Sequence, residues 1–517
     1  MSIERRVSTE ALSEIFLLLC LEPIALHELN NISYFYTFPW AAGQVCRRWR
    51  SVFLSYPALW SSLSLWDRQH DFLIMRRTPS DAYVAEMKRR TAIYLKRSKG
   101  EPLTVTVDLG DSGPVVKSCT AVVWSMLLSC SDRWERADLR LSNWSLMDDL
   151  VKRRRKMLIL KSLRICMEEC EGQNDLDAFK IAPNLTELKL VQEQEMRKGT
   201  LGRWKFPWAQ LTNLCINVCC LDFPDSNALR TFLLQLQNLE ELLFYISDVK
   251  REFGIFKCPA VRFARLRHLV ASLVSPEIFS WFEAPLLEHL RVYYEPCSHN
   301  SDHYNEELSS LVNRSSCHIR HLTLQNCEVE AAHNIMKVLT SVETLCIRTL
   351  VIGPTYYPRL VRDIAKSDGI YMPNLRVLQV PCCPRHFEEL ALAAFRLFKA
   401  RNQQSSAIPG GVVPLEKLMV SVDRSGSSCC CCRDFDKQSR AIDKALKVMC
   451  SWPSFSVTTL HNDPLCLTLN VCALMPGALA NLNIDLFIHY PRDPKYYSTE
   501  SRRHYNVLDR KRLPVDS

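Results

Sequence analysis

The feature that most constrains this chain is a six-residue phrase, apolar-x-x-Leu-x-apolar, that keeps returning from residue 160 to residue 420. It reads Leu160-Lys-Ser-Leu-Arg-Ile, then Leu185-Thr-Glu-Leu-Lys-Leu, Leu211-Thr-Asn-Leu-Cys-Ile and Leu239-Glu-Glu-Leu-Leu-Phe, and continues to Leu415-Glu-Lys-Leu-Met-Val. The central leucines Leu163, Leu188, Leu214, Leu242 and Leu269 stand 25, 26, 28 and 27 residues apart. Later gaps, 32 residues from Leu290 to Leu322 and 33 from Leu345 to Leu378, imply insertions. Within each phrase the side chains alternate, as in a strand with one buried face. A single such strand cannot bury that face alone, whereas stacked copies make a continuous core. Helical patterns precede the phrases. The clearest starts at Asp225, a helix cap, and runs through Leu229, Phe232, Leu233 and Leu236; Ala332, Ile335, Met336 and Leu339 form another.

The period resembles that of leucine-rich repeats, which run about 20 to 29 residues per unit. Their template places Asn or Cys three residues after the last apolar position, and Cys219, Cys327 and Cys383 stand at that offset from Ile216, Leu324 and Val380. Most other units lack it, so the array is degenerate, and an ordinary α/β fold with leucine-rich strands is the alternative. The alternation also defines an outward row of strand positions from Glu187 to Arg348, with Cys215 and Cys346 among them. Tyr245, Arg291, Tyr293 and Arg348 are the row's candidates for binding a target protein, because tyrosine and arginine dominate protein interfaces.

Residues 8 to 20 read as a helix, capped by Ser8 or Thr9, with Leu12, Ile15, Phe16 and Leu19 on one face and Pro23 beyond its end. A second helix is expected over about 40 to 54, with Val45, Trp49, Val52 and Phe53 as its stripe. Pro57 suits the start of a third, carrying Leu59, Trp60 and Leu63. Three short helices bury little surface alone, and this aromatic load implies either a cap on the next domain or a surface for a partner. The runs Ala11-Leu-Ser-Glu-Ile-Phe, Val45-Cys-Arg-Arg-Trp-Arg-Ser-Val and Tyr56-Pro-Ala-Leu-Trp resemble the F-box, over residues 7 to 63. The family's opening Leu-Pro is replaced by Val7-Ser8.

That resemblance implies an α/β chain in which a short all-α F-box precedes an irregular leucine-rich-repeat, helix–strand solenoid. It also implies the substrate-recognition role of a Skp–cullin–F-box ubiquitin ligase: Leu12, Ile15, Phe16, Val45, Trp49, Leu59 and Trp60 would meet the Skp adaptor, and through it a cullin, while the repeats hold an unknown target protein. A repeat scaffold that has lost the adaptor is the rival reading. The expected divisions are residues 1–65 for the helical domain, 66–155 for a bridging helix–strand region and the start of the array, and 156–425 for the array. Residues 426–490 would hold a loop and the array's end, and 491–517 a charged tail.

Composition narrows the rest. The chain has 517 residues, 47% of them hydrophobic, and a net charge of +9, with basic runs scattered and not interleaved with aromatics. Neither nucleic acid nor a membrane is expected as a partner. The 23 cysteines, with no secretory signal before them, read as buried thiols of a reduced, cytoplasmic protein. Lys152 to Lys156 reads either as a nuclear-import signal or as the polar shoulder of a strand. No phosphate-loop, dinucleotide, nucleophile-elbow or His-Glu-x-x-His motif occurs, so no enzyme and no cofactor are expected. Cys429 to Cys432 cannot easily surround one zinc, and the His299/His303 pair falls in a polar insertion, so no metal is expected either.

Overall fold

The computed structural model describes residues 7–19, 24–25, 42–66, 81–109, 114–141, 144–153, 156–167, 176–192, 204–218, 223, 225–246, 258–273, 276–294, 301–327, 329–350, 356–366, 371–382, most of 386–401, 412–423, 456–459, 466–471 and 482–489. The chain forms two compact units, Met1–Leu290 with Glu306–Cys317, and Arg291–Asn305 with His318–Ser517.

The first unit opens with α1 (Thr9–Leu19). Ser8 caps it, its hydroxyl accepting from the Ala11 amide at 3.1 Å. The expected second helix is two pieces, α2 (Ala42–Val45) and α3 (Arg47–Ser55). Cys46 breaks it: its backbone is extended and its sulfur accepts from the Trp49 amide at 3.4 Å, the arrangement of an N-cap. The expected third helix is only a 3-10 turn, Pro57–Trp60. Leu63 lies beyond it on a strand, because Leu63 and Leu65 alternate into the core and pair with the next strand.

That strand, β2 (Ser62–Trp66), pairs with the two-residue β1 (Ile24–Ala25) and begins a parallel sheet. Its further strands are β3 (Leu103–Leu109), β4 (Trp134–Leu141), β5 (Ser162–Met167), β6 (Glu187–Gln192), β7 (Asn213–Val218), β8 (Glu241–Ile246) and β10 (His268–Leu273). One core row threads it in register: Leu63, Val105, Ala137, Leu163, Leu188, Leu214, Leu242 and Leu269. The repetition thus starts at β2, at the end of the stretch expected to be the helical domain, and β3 and β4 fall in the bridging region expected to start the array. Helices α4 (Asp81–Arg97), α5 (Pro114–Ser129) and α6 (Trp144–Arg153) connect the early strands. Lys99 takes the left-handed conformation after α4, with φ 48°.

Later in this unit the helix expected before each phrase is mostly replaced. Among the described residues here, α7 (Ser226–Leu234) follows the pattern, capped by the Asp225 carboxylate accepting from the Ala228 amide at 2.8 Å. A 3-10 turn at Trp208–Gln210 precedes β7. Another, Pro276–Trp281, follows β10. It leads into β11 (Phe282–Glu283), which pairs with β9 (Val261–Arg262). Aromatic rings pack against one another in these connections. Phe179 stacks on Phe206 at 5.8 Å, and Phe206, Trp208 and Phe232 follow in edge-to-face contacts of 5.1 and 5.0 Å.

Two hydrogen-bond devices set the register. At most strand entries from β6 to β16 one carbonyl accepts from two successive amides of the next repeat, as Lys161 does from Thr186 and Glu187. In addition, an asparagine directly before the phrase's first leucine donates its amide to the preceding repeat: Asn184 to the Leu158 carbonyl at 2.6 Å and Asn238 to that of Ala209 at 2.7 Å.

The second unit repeats the scheme with more helix. Its strands β13 (His321–Cys327), β14 (Thr344–Leu350), β15 (Val377–Cys382), β16 (Lys417–Asp423) and β19 (Leu482–His489) are parallel, with Leu322, Leu345, Leu378, Leu418 and Ile484 in one row. The strands β17 (Ser456–Thr459) and β18 (Cys466–Val471) add antiparallel to β19. Helices α9 (Val329–Val338) and α10 (Tyr356–Lys366) lie between strands. The insertion ahead of Leu322 is itself helical, α8 (Ser301–Ser315), and its residues divide between the units. Asn374 donates to the Thr340 carbonyl at 3.2 Å, the same device as in the first unit. Among the described residues no helix is long and apolar enough to cross a membrane.

Candidate functional site

The N-terminal candidates separate by burial. Leu12, Phe16, Leu59 and Trp60 are enclosed by the chain itself, Phe16 and Trp60 completely. Trp60 is tied on every side: its indole N–H donates to the Phe53 carbonyl at 3.0 Å, its ring stacks on Tyr94 at 5.6 Å, and the Arg97 guanidinium lies 4.4 Å over it. These four side chains are therefore internal supports, a correction to the expectation that they form a contact surface. Trp49 is half-buried, its ring edge-on to Phe16 at 5.2 Å, so it both supports the unit and reaches its surface. Ile15 and Val45 are exposed, at 42% and 54%.

Sequence reasoning missed Leu18 and Leu54, which are also exposed, at 73% and 39%. Leu18 follows Ile15 by three residues on α1, so the outward face was visible in the spacing, but the inward stripe through Phe16 masked it. The Val7-Ser8 departure is accounted for locally. Ser8 caps α1, and Arg48 of α3 donates to the Val7 carbonyl.

On the strands, alternation holds across most of the sheet, and Tyr245, Arg291, Tyr293 and Arg348 all lie half-exposed. Tyr245 belongs to the first unit; the other three belong to the second. Cys215 and Cys346 are buried instead, at 5% and 9% exposure, because a small thiol is covered by its longer neighbours. The Arg291 guanidinium is positioned by Gln325, whose side-chain oxygen accepts from it at 3.1 Å, and by the Tyr293 ring 4.8 Å beneath it.

The outward face of the first unit is largely self-compensated. Asp108 meets Arg140 at 3.6 Å, Asp138 meets Arg164 at 3.3 Å, and the Asn213 amide donates to Glu241 at 2.6 Å. Burial pushes the Asp138 carboxyl above its ordinary range, against the pull of Arg164, Lys189 and Arg140. The rings of His268 and His289 lie 4.1 Å apart.

Among the described residues no group of three or more His, Cys, Asp or Glu side chains is placed to hold a metal ion. Cys429 to Cys432, His299, Cys219 and Cys383 lie outside the described residues, and of His303 only the backbone is described, within α8. Cys327 is fully buried after a strand irregularity at Asn326, whose φ is 55°. Eight described cysteines are free thiols, and burial pushes those of Cys258 and Cys317 up, away from reactivity. The basic run starting at Lys152 begins at the end of α6, and residues 154–155 lie outside the description.

No family model matches this chain, and no curated protein matches it. Among solved structures, a crystallised protein from Bacteroides fragilis is similar at 12% identity, with a TM-score of 0.26, over 65% of this chain and 83% of that one. It assigns no function here.

Proposed function

We propose that this chain is the target-recognition subunit of a Skp–cullin–F-box ubiquitin ligase, its N-terminal helices docking on the Skp adaptor and its strand array holding a target protein. The observation that carries the reading is where apolar surface remains uncovered. Of nine exposed large apolar side chains among the described residues, four (Ile15, Leu18, Val45 and Leu54) fall within the first 54 residues, on three short helices that bury their own aromatics well. A unit with a satisfied interior and a surplus outside suits an apolar partner. The F-box-like sequence of the same residues says which partner. In this scheme the chain does no chemistry; it raises the effective concentration of target lysines near a ubiquitin-charged enzyme.

Affinity purification of the tagged full chain tests the proposal. The Skp adaptor and a cullin should co-purify in near-stoichiometric amounts. Purification without the adaptor would leave the rival reading, a repeat scaffold with an F-box-like start that no longer engages the ligase.

A further inference from the structure

We propose that the two turns entering β5 and β6 in the first unit bind a partner-protein segment that mixes acidic with apolar residues. Leu158 and Ile181 supply the apolar contact, and Lys156 and Lys180 the charge. The site is separate from the N-terminal helices and from the outward strand row, and it does not rest on the adaptor reading.

Leu158 and Ile181 are 48% and 52% exposed, and the backbone holds their turns side by side. The Met157 amide donates to the Ile181 carbonyl at 3.2 Å, and the Asn184 side chain donates to the Leu158 carbonyl at 2.6 Å. Each turn is also anchored from within: Met157, Leu160, Ala182 and Leu185 are buried. A pair pinned in this way is pre-organised, so covering it loses little conformational freedom. The turn itself does not require the leucine. Pro183, Ala209, Gln237 and Ala264 stand at the position of Leu158, two before the phrase's first leucine, in the next four repeats, and all are exposed. Small or polar side chains therefore serve there, and an exposed leucine is surplus to folding.

The surroundings give the partner's sign. Lys156 and Lys180 are exposed directly beside the apolar pair. Residues 148–161 carry six basic side chains against two acidic ones, and in residues 176–186 Lys180 faces one carboxylate, Asp177. Lys152 meets Asp149 at 3.9 Å and Lys161 meets Glu135 at 2.7 Å. Such exposed pairs are weak and leave the local field positive. Apolar contacts inside a positive field complement a segment whose apolar residues are flanked by carboxylates. Nucleic acid fits less well, because the aromatic rings of these connections, Phe179, Trp204, Phe206 and Trp208, are buried and offer no face for a base. A lipid surface also fits less well: two side chains insert less apolar surface than one myristoyl chain, which by itself binds only marginally.

The test is fluorescence anisotropy of the full chain with a labelled peptide of glutamate, leucine and glycine. Poly-glutamate and the same peptide with serine for glutamate are the controls; single-stranded RNA and phosphatidylserine vesicles are competitors. The mixed peptide should bind more tightly than either control, and more weakly at high salt. Leu158→Ser with Ile181→Ser should weaken it by about tenfold or more, and so should Lys156→Gln with Lys180→Gln. Lys156→Arg with Lys180→Arg should retain binding, which separates lost charge from a disturbed turn. Leu234→Ser with Leu286→Ser, exposed in α7 and ahead of β12 (His289–Tyr294), should change nothing. No binding of the mixed peptide, a control binding as tightly, or equal loss in the two serine pairs would overturn the proposal. So would equal loss in the arginine and glutamine pairs, or RNA or vesicles displacing the labelled peptide at lower concentration than the unlabelled peptide does.

Discussion

Arg401 shows what a single residue contributes here. It is 2% exposed, and its guanidinium donates to four backbone carbonyls of the turn before β15: Tyr371 at 2.8 Å, Met372 at 3.0 Å, Leu375 at 3.4 Å and Pro373 at 3.5 Å. Burial pulls its pKa down to about 10, and the side chain nonetheless stays charged at neutral pH. Arg314 and Arg133 do the same work elsewhere, donating to Phe279 and Phe282, and to Ser98 and Glu101. Arg401→Ala strands several buried carbonyls and should cost about 3 kcal/mol, read from a urea denaturation curve. A loss under about 0.5 kcal/mol, typical of a surface change, would show that the turn is held by other means. His333 gives a pH signature. Burial pulls its pKa below the ordinary 6.5, although Asp363, at 3.4 Å, and Glu330 pull it up; Lys337 and Arg359 add to the lowering, and Tyr371 stacks on it. The folded state therefore prefers the neutral imidazole, and the unfolded chain takes up the proton first. Stability should be full above about 6.5 and fall as pH drops through and below that value. His333→Gln should flatten the melting temperature over that window; a slope as steep as wild type would contradict it.

At the scale of elements, the strands were legible and the connections were not. The phrase fixes period-two alternation, so the strand that follows Leu185 or Val342 can be read from its own residues, and the observed rows put each central leucine beside the next. Strands β3 and β4 join the same ladder with Val105 and Ala137 in the leucine position, which hides those units from anyone counting leucines. A helical pattern was expected before each phrase, yet among the described residues the stretches around Phe179 and Trp204 hold turns and loops. The rings there pack directly on one another instead. The second expected helix failed at one residue, Cys46, whose capping role has no periodic signature. The asparagine before the phrase is a device that spacing could have revealed, since Asn184, Asn238 and Asn374 all stand immediately ahead of its first leucine. Replacing Asn374 by Ala should cost about 1 kcal/mol, because its tie to Thr340 bridges adjacent repeats at an exposed edge. Thermal melting of the variant checks this, and an unchanged midpoint would show that the backbone ladder alone sets the register.

At the scale of the whole molecule, a helical N-terminal part carries exposed apolar side chains, and the strands of each unit offer an outward face. Which residues make the first surface was only half readable. The stripe Leu12, Phe16, Leu59 and Trp60 carries the strongest hydrophobic pattern, and for that reason the chain keeps it for its own core. The outward residues Ile15, Leu18, Val45 and Leu54 have a weaker pattern and emerge only once the inward face is known. This also sharpens the decisive measurement. Trp49→Ala would disturb the Phe16 contact and confuse folding with binding, whereas Ile15→Asp with Val45→Asp changes two exposed side chains on α1 and α2. The affinity of purified Skp adaptor for the full chain should be measured by calorimetry for wild type and for that double variant, with circular dichroism of both. Wild type should bind, the double variant should lose about a hundredfold in affinity, as two charges set against an apolar interface would bring, and circular dichroism should be unchanged. Adaptor binding that is absent in wild type, or equal in the two proteins, would contradict it.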